Sequence, residues 1–328
     1  MRIVSALLFI TAVCGSAADY QPLVYPGKHG PGKGKHIVFV VGDQEYRSEE
    51  SMPALARILA DREGFTCTVL FQINKQTGAI DPSTIDNIPG LEALRTADLM
   101  VLFTRWIELP DDQMKEIVNY TNSTHPIVGL RTATHPFKYE KNKDSIYAKY
   151  SYDDKHSEGG YGRQVMGETW IAHYGKHMAE STRGVIDPKM EKHPVLRGVK
   201  DIWVPSDVYE ITTLSGDSQA LVLGEVLSGM TPQSPPSPQK DKKMPIAWVK
   251  TYTGDSGWSE RVFMTTMGAA PDFKNEGFRR MVINACFWAT GLEKKITPKM
   301  NVEFVGDYSP SEIGVGKQKK GLKPADLR

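Results

Sequence analysis

Cysteine is scarce in this chain, with three in 328 residues. Cys14 lies in an N-terminal segment that reads as cleaved, which leaves Cys67 and Cys286. Two thiols make no disulfide framework for a chain of this size. Cys67 begins a strand-like run and Cys286 sits on the apolar side of a helical pattern, so both read as buried small hydrophobes. Net charge is also nearly absent, +1 from 40 basic and 39 acidic residues. That balance gives no ground for expecting nucleic acid or an anionic membrane as a partner. No apolar run is long enough to span a bilayer, and there is no internal repeat. The chain lacks a G-x-G-x-x-G loop, a P-loop, a G-x-S-x-G elbow and a Cys–His pair with a local nucleophile signature.

What is present begins with a targeting segment. Arg2 supplies a basic start, Val4 to Val13 an apolar stretch, and Gly15-Ser16-Ala17-Ala18 a small-residue cleavage site, so residues 1–18 read as a signal peptide. Export to the periplasm or the exterior is the expectation. Cys14 raises a lipid-anchored alternative, against which the bulk of Val13 speaks. Residues 19–34, rich in Gly, Pro and Lys, read as a flexible leader. With 40% of its residues hydrophobic, the remainder can bury a sizeable core.

The run His36-Ile37-Val38-Phe39-Val40-Val41 is apolar and β-branched, as a central parallel strand buried on both faces requires. A helix follows, with Ser51 as its expected N-cap, Leu55, Ile58 and Leu59 on one face, and Gly64 as its stop. Thr66–Phe71, Leu99–Phe103 and Pro126–Leu130 read as further strands. Between the last two, a helix opens at Pro110 with Asp111 and Asp112 in its first turn, where they favour the dipole. This alternation indicates βαβ units and a three-layer, doubly wound, mostly parallel sheet. Residues 136–165 read as a long polar excursion over the surface. Val208–Ile211, Gln219–Val226, Ile246–Tyr252 and Arg261–Thr266 complete the sheet with an antiparallel edge, and Pro232–Lys243 reads as a mobile hairpin tip. The last helix, Glu276–Thr290, ends at Gly291, and residues 294–328 read as an irregular tail.

Ligands of open α/β sheets bind beyond the carboxyl ends of the strands. The first strand delivers Asp43, Glu45 and Tyr46 to that rim, the third Arg105 and Trp106, the fourth Arg131, Thr132 and His135, and the last Thr266. Paired carboxylates, guanidinium groups and a Trp face together suit a polar or sugar ligand. Taken singly, each is equally explained as a loop charge or a structural ion pair. Glu49 and Glu50 read as helix N-terminal charges. The turn Gly129-Leu130-Arg131-Thr132-Ala133 has the form of a strand-to-helix nucleophile elbow, with Arg131 and Thr132 where a Cys or Ser would sit.

In Trp170-Ile171-Ala172-His173-Tyr174-Gly175-Lys176-His177, a helix would put His173 and His177 on one face at the spacing two metal-binding imidazoles need. No Glu of a zinc-protease helix accompanies them, and Gly175 weakens the helix. A third ligand would come from His135, His156 or Glu45. Proton transfer or hydrogen bonding at the site mouth is the other role for this pair, and packing against Trp170 and Tyr174 the plain one.

The stretches "VGDQEYRSEESMPAL" (40–54), "LFTRWIELPDDQM" (102–114), "PIVGLRTATHPF" (126–137), "GRQVMGETWIAHYGKH" (162–177), "STRGVI" (181–186), "HPVLRGV" (193–199) and "RVFMTTMGAAPDF" (261–273) together resemble the ThuA-like (trehalose-utilisation) family, exported subgroup, over residues 35–293. The resemblance implies a fold similar to class I glutamine amidotransferases, without glutaminase activity because no cysteine lies at the elbow. It also implies handling of sugars or glycosides, oxidised (keto) glycosides included, beside a sugar dehydrogenase. Many relatives carry His at the elbow and after the last-strand glycine, where this chain has Arg131 and Ala269. The expectation is an exported carbohydrate-processing protein, a hydrolase, lyase or isomerase. Glu45 or Asp43 would be its base, His173 or His177 its acid or metal ligand, and Arg131 and Arg105 its charge stabilisers. Tyr46, Trp106, Thr132, His135 and Thr266 would contact substrate. A non-catalytic sugar-binding or surface-assembly protein and a zinc-dependent hydrolase are the alternatives, and a homo-oligomer stays open.

Overall fold

The computed structural model describes residues 20–154 and 158–328. The expected signal peptide and His156 lie outside them. The continuous apolar runs do become central strands. His36–Gly42 (β2) is buried from its second residue onward. It pairs in parallel with Thr66–Phe71 (β3) on one side and Leu99–Thr104 (β4) on the other. Ile127–Leu130 (β5) continues the parallel set beyond β4, and Ser259–Thr265 (β10) closes it. Because these strands run the same way, the chain leaves β2, β4, β5 and β10 at one rim, and that rim carries the site.

Side chains of β2 alternate between the two faces, as strand geometry requires. Ile37, Phe39 and Val41 join a core with Ser48–Asp61 (α1) and Glu276–Ala289 (α3). Val38 and Val40 face Asp111–Thr121 (α2) on the opposite side. Three layers result. Among the described residues no helix is long and apolar enough to cross a membrane.

The sheet is mixed rather than mostly parallel. It also contains Leu23–Tyr25 (β1), Ser181–Ile186 (β6), Trp203–Val204 (β7), Gln219–Leu227 (β8) and Met244–Thr253 (β9), ten strands in the order β1-β3-β2-β4-β5-β10-β9-β8-β6-β7. The pairs β1–β3, β10–β9, β9–β8, β8–β6 and β6–β7 are all antiparallel. For β9 and β10 the cause is connection length. Only residues 254–258 join β9 to β10, whereas a parallel neighbour needs a crossover of about a dozen residues or more.

Four local expectations are corrected. The leader is not free within its described part, because β1 pairs with β3 and Leu23 is fully buried. α1 begins at Ser48, one turn before Ser51, with Arg47 in the left-handed region at φ 59° preceding it. Val208–Ile211 is no strand and makes only the single bridge His173–Tyr209. The excursion after His135 is not superficial: Tyr139, Tyr147, Tyr150 and Tyr161 are buried in the α2-side core. Counting its polar residues hides how much tyrosine ring area it can bury, since an aromatic body packs while its hydroxyl finds a partner. Tyr161 Oη pairs with Thr121 Oγ1 at 2.7 Å in this way.

Candidate functional site

Backbone conformation marks the rim. The turns after β2, β4 and β5 each hold a non-glycine residue at positive φ, Arg47 (59°), Trp106 (48°) and Arg131 (44°). Each such residue costs on the order of 1–3 kcal/mol and persists only where its surroundings over-determine it. The β5 turn is the elbow read from sequence: the strand stops, Arg131 turns left-handed, and a short 3-10 helix, Arg131–Thr134, follows. Gly268 makes room for it. Arg131 N donates to Met267 O at 3.1 Å, and a Cβ on Gly268, itself at φ 145°, would sit 3.3 Å from Arg131 Cβ.

Asp43 binds the β2 turn to the elbow. Its Oδ1 accepts from Glu45 N (2.7 Å) and Tyr46 N (2.5 Å), and its Oδ2 accepts from Thr132 Oγ1 (2.7 Å). Asp43 and Thr132 are fully buried, and desolvation raises the Asp43 carboxyl above its usual range. Both are therefore internal ties. Asp43 is not placed to act as a base, nor Thr132 to touch substrate.

Arg131 is also internal. It has no exposed surface and is stacked between Tyr46 and Tyr209, its Cζ 4.6 and 3.9 Å from their ring centroids. Nη1 donates to Asp207 O and Thr266 O, and Nη2 donates to Asp207 Oδ1 at 2.8 Å and Tyr46 Oη at 3.4 Å. A guanidinium so engaged cannot reach a developing oxyanion; it holds Asp207. Thr266 and Tyr46, both buried, are fixed by the same arginine.

Asp207 had no motif to flag it, and it is the centre of the cluster. His173 Nδ1 lies 2.6 Å from its Oδ2 and His177 Nδ1 2.8 Å from its Oδ1. Burial pushes the Asp207 carboxyl up, but Arg131 and the two imidazoles together outweigh it and hold the group well below the carboxylate range. The histidines do not stand on a helix. Residues 170–177 are irregular, and the rings meet, 4.9 Å apart, because the chain bends back at Gly175. There a Cβ would sit 3.2 Å from Val208 N.

His177 also reaches Glu45, with Nε2 2.9 Å from Oε1. Hydrogen bonds to Asp207 and Glu45 raise the imidazole to about 9, so it is an imidazolium at neutral pH. Arg105 Nη1 pairs with the other Glu45 oxygen at 2.8 Å. Burial raises Glu45, and the bond from His177 and the Arg105 charge reverse that, leaving it below its ordinary value. Side-chain exposure decides which groups can meet a ligand: 34% for His173, 26% for His177, and 14% for Glu45 and Arg105, against none for Arg131 and Asp207.

Aromatic rings border this ionic cluster. Trp106 lies 5.9 Å from Tyr152 and 6.4 Å from Trp170, and Trp170 lies 5.7 Å from His173. The Arg105 guanidinium covers Trp106 at 4.0 Å. His135 packs among Trp106, Trp170 and Tyr209. Burial and the neighbouring arginines lower it well below its normal value, so it is a neutral wall. Tyr152 and Tyr209 join Asp207 as site residues that the sequence did not single out, Tyr209 because its segment read as an ordinary strand.

His173, His177 and Asp207 offer ligand atoms within 4.8 Å of one another, close enough for a divalent cation such as zinc. Asp207 is already the acceptor for both Nδ1 atoms and for Arg131, so a cation there would replace two short hydrogen bonds and stand beside a guanidinium. These three residues therefore fit a hydrogen-bonded relay better than a metal centre.

Residues 37–289 match the family model ThuA, described as trehalose utilisation. Among solved structures, the chain is similar to a ThuA-like protein from Bacteroides uniformis (13% identity, TM-score 0.49, covering 84% of this chain and 98% of that one). Another is a ThuA-like protein from Parabacteroides merdae (15% identity, TM-score 0.47, covering 79% and 90%). No curated protein matches the chain.

Proposed function

Starting from the fact that this chain belongs to the ThuA trehalose-utilisation family, we propose that it is an exported protein that processes a carbohydrate, an oxidised (keto) glycoside, by acid–base chemistry. The observation that supports this most is the relay Glu45–His177–Asp207–His173, whose two imidazoles are partly exposed beside the Trp106, Trp170 and Tyr152 rings. Flat aromatic faces suit the C–H faces of a sugar, and the charged groups suit its hydroxyls.

The geometry supports the following roles. A keto group acidifies the C–H that lies between it and the glycosidic carbon. Glu45, kept anionic by Arg105 and His177, takes that proton. Arg105, next to Glu45 and partly exposed, faces the charge that develops on the keto oxygen. His173 has its Nδ1 on Asp207, which orients the ring and leaves the other nitrogen to protonate the departing glycosidic oxygen as the C–O bond breaks. His177, hydrogen-bonded to Asp207 through Nδ1 and ion-paired with Glu45 through Nε2, is the fixed charge that holds Glu45 and Asp207 in register. A sugar dehydrogenase would supply such a substrate.

The test is turnover of keto-glycosides against the unoxidised glycosides. Glu45→Gln and His173→Ala should each lower keto-glycoside turnover by about 10²–10⁴-fold, the usual share of a general acid or base. Sugar binding measured by calorimetry without any turnover would establish a binding protein instead. Stoichiometric zinc by elemental analysis, with activity lost to a chelator, would establish a metal hydrolase.

A further inference from the structure

The segment after Val302 contains no strand, lies outside the residues that carry the family match, and yet returns to the site. Glu303 O and Phe304 O accept from Arg62, and Ser311 N donates to Glu50 Oε2 at 3.0 Å. Leu322 O accepts from Ile80 N at 2.7 Å. Two of its contacts converge on the turn that carries Glu45. Gly314 N donates to Glu45 O at 2.8 Å, and Gly314 O accepts from Arg47 Nη2 at 2.9 Å. From the other side, Tyr308 Oη donates to Ala270 O at 2.7 Å, and Ala270 N donates to Tyr46 O at 2.9 Å.

We propose that this C-terminal segment is a strap that sets the position of Glu45, with Gly314 and Tyr308 as positioning residues. The proposal rests on the reading of Glu45 as the base. The turn needs such support: Arg47 is left-handed, and its side chain makes no cap for α1. A strained turn keeps its shape only while outside contacts fix it. Gly314 suits the role because its N–H and its C=O both engage this turn from a backbone at φ 126°, a conformation that side chains rarely allow. Displacing a reacting group by about 1 Å can cost about 100-fold in rate, so ties on the backbone of a base matter even though they touch no substrate.

The experiment uses the full chain with Gly314→Pro, which removes the N–H and cannot adopt φ 126°. Tyr308→Phe, which keeps the ring against Phe304, is a milder second variant, and Lys320→Ala, an exposed strap residue, is the control. Amide hydrogen exchange should become roughly tenfold faster at residues 45–47 in Gly314→Pro, and less so in Tyr308→Phe, as expected for loss of a hydrogen bond. Amides of β2 and β4 should keep their protection, and Lys320→Ala should match the wild type throughout. With a keto-glycoside, kcat should fall while KM stays. Wild-type exchange at residues 45–47 in both variants would overturn the strap. Because exchange needs no turnover, that result is distinct from a failure of the keto-glycoside assay, which would count against the chemistry alone.

Discussion

Arg131 stands at the elbow after β5, and the structure turns that position inward. The guanidinium is buried without exposed surface, between two tyrosine rings, and is the main charge compensating Asp207. Removing one member of a buried ion pair leaves the other uncompensated, which costs about 3–5 kcal/mol. Arg131→Ala should therefore destabilise the fold by about that amount in denaturant titration and release both imidazoles from their fixed orientation. A melt within about 0.5 kcal/mol of wild type, the range of a surface change, would mean that Arg131 is not the support of Asp207. That Asp43, Glu45, Arg105 and Arg131 would come together was legible from their strand-end positions, whereas the two imidazoles join them from an irregular segment that read as a helix. Which of them face a ligand was not legible. An Arg at an elbow reads the same whether its head group turns out to solvent or in under Tyr209.

At the scale of elements, turns separate what sequence patterning conveys from what it does not. The strand-to-turn boundaries after β2, β4 and β5 lie where the apolar runs end, yet nothing in those runs announces that Arg47, Trp106 and Arg131 take positive φ. α1 shows a related effect. Glu49 lies in its first turn, where a carboxylate favours the helix dipole. It is buried, with Arg47 Nη1 3.2 Å away as its compensation. Burial wins and raises the Glu49 carboxyl to about 7. A carboxyl whose folded value is raised favours folding only while protonated. Its contribution is full below about 4.3, the unfolded value, and is lost as pH climbs through about 7. Wild-type melting temperature should fall across that interval, and Glu49→Gln should flatten the fall and exceed wild type above it. Parallel melting curves of the two proteins from about pH 3.3 to about pH 8 (about one unit either side of that window) would show that Glu49 stays ionised.

Over the whole molecule, both ends of the described chain close around α1. β1 adds an antiparallel edge to β3, and Tyr25 Oη donates to Leu327 O, so leader and strap meet. If the leader is part of the core, Leu23→Ala should cost about 2–5 kcal/mol, as other fully buried leucines do. A leader that hangs free would tolerate the change without a measurable shift in the denaturation midpoint.

Sequence alone determined the parallel heart of the sheet, the order of its helices, the rim where the strands end and the family, because continuous apolar β-branched runs and 3.6-residue stripes are local properties of the chain. Tertiary structure decided the antiparallel half of the sheet, the inward turn of Arg131, the bend that joins His173 to His177 without a helix, and the place of Asp207 between them. Those depend on what a buried charge finds opposite it after folding. Asp207 lies 76 residues from Arg131 and 30 and 34 residues from the two histidines, and no local pattern encodes partners that only packing brings together.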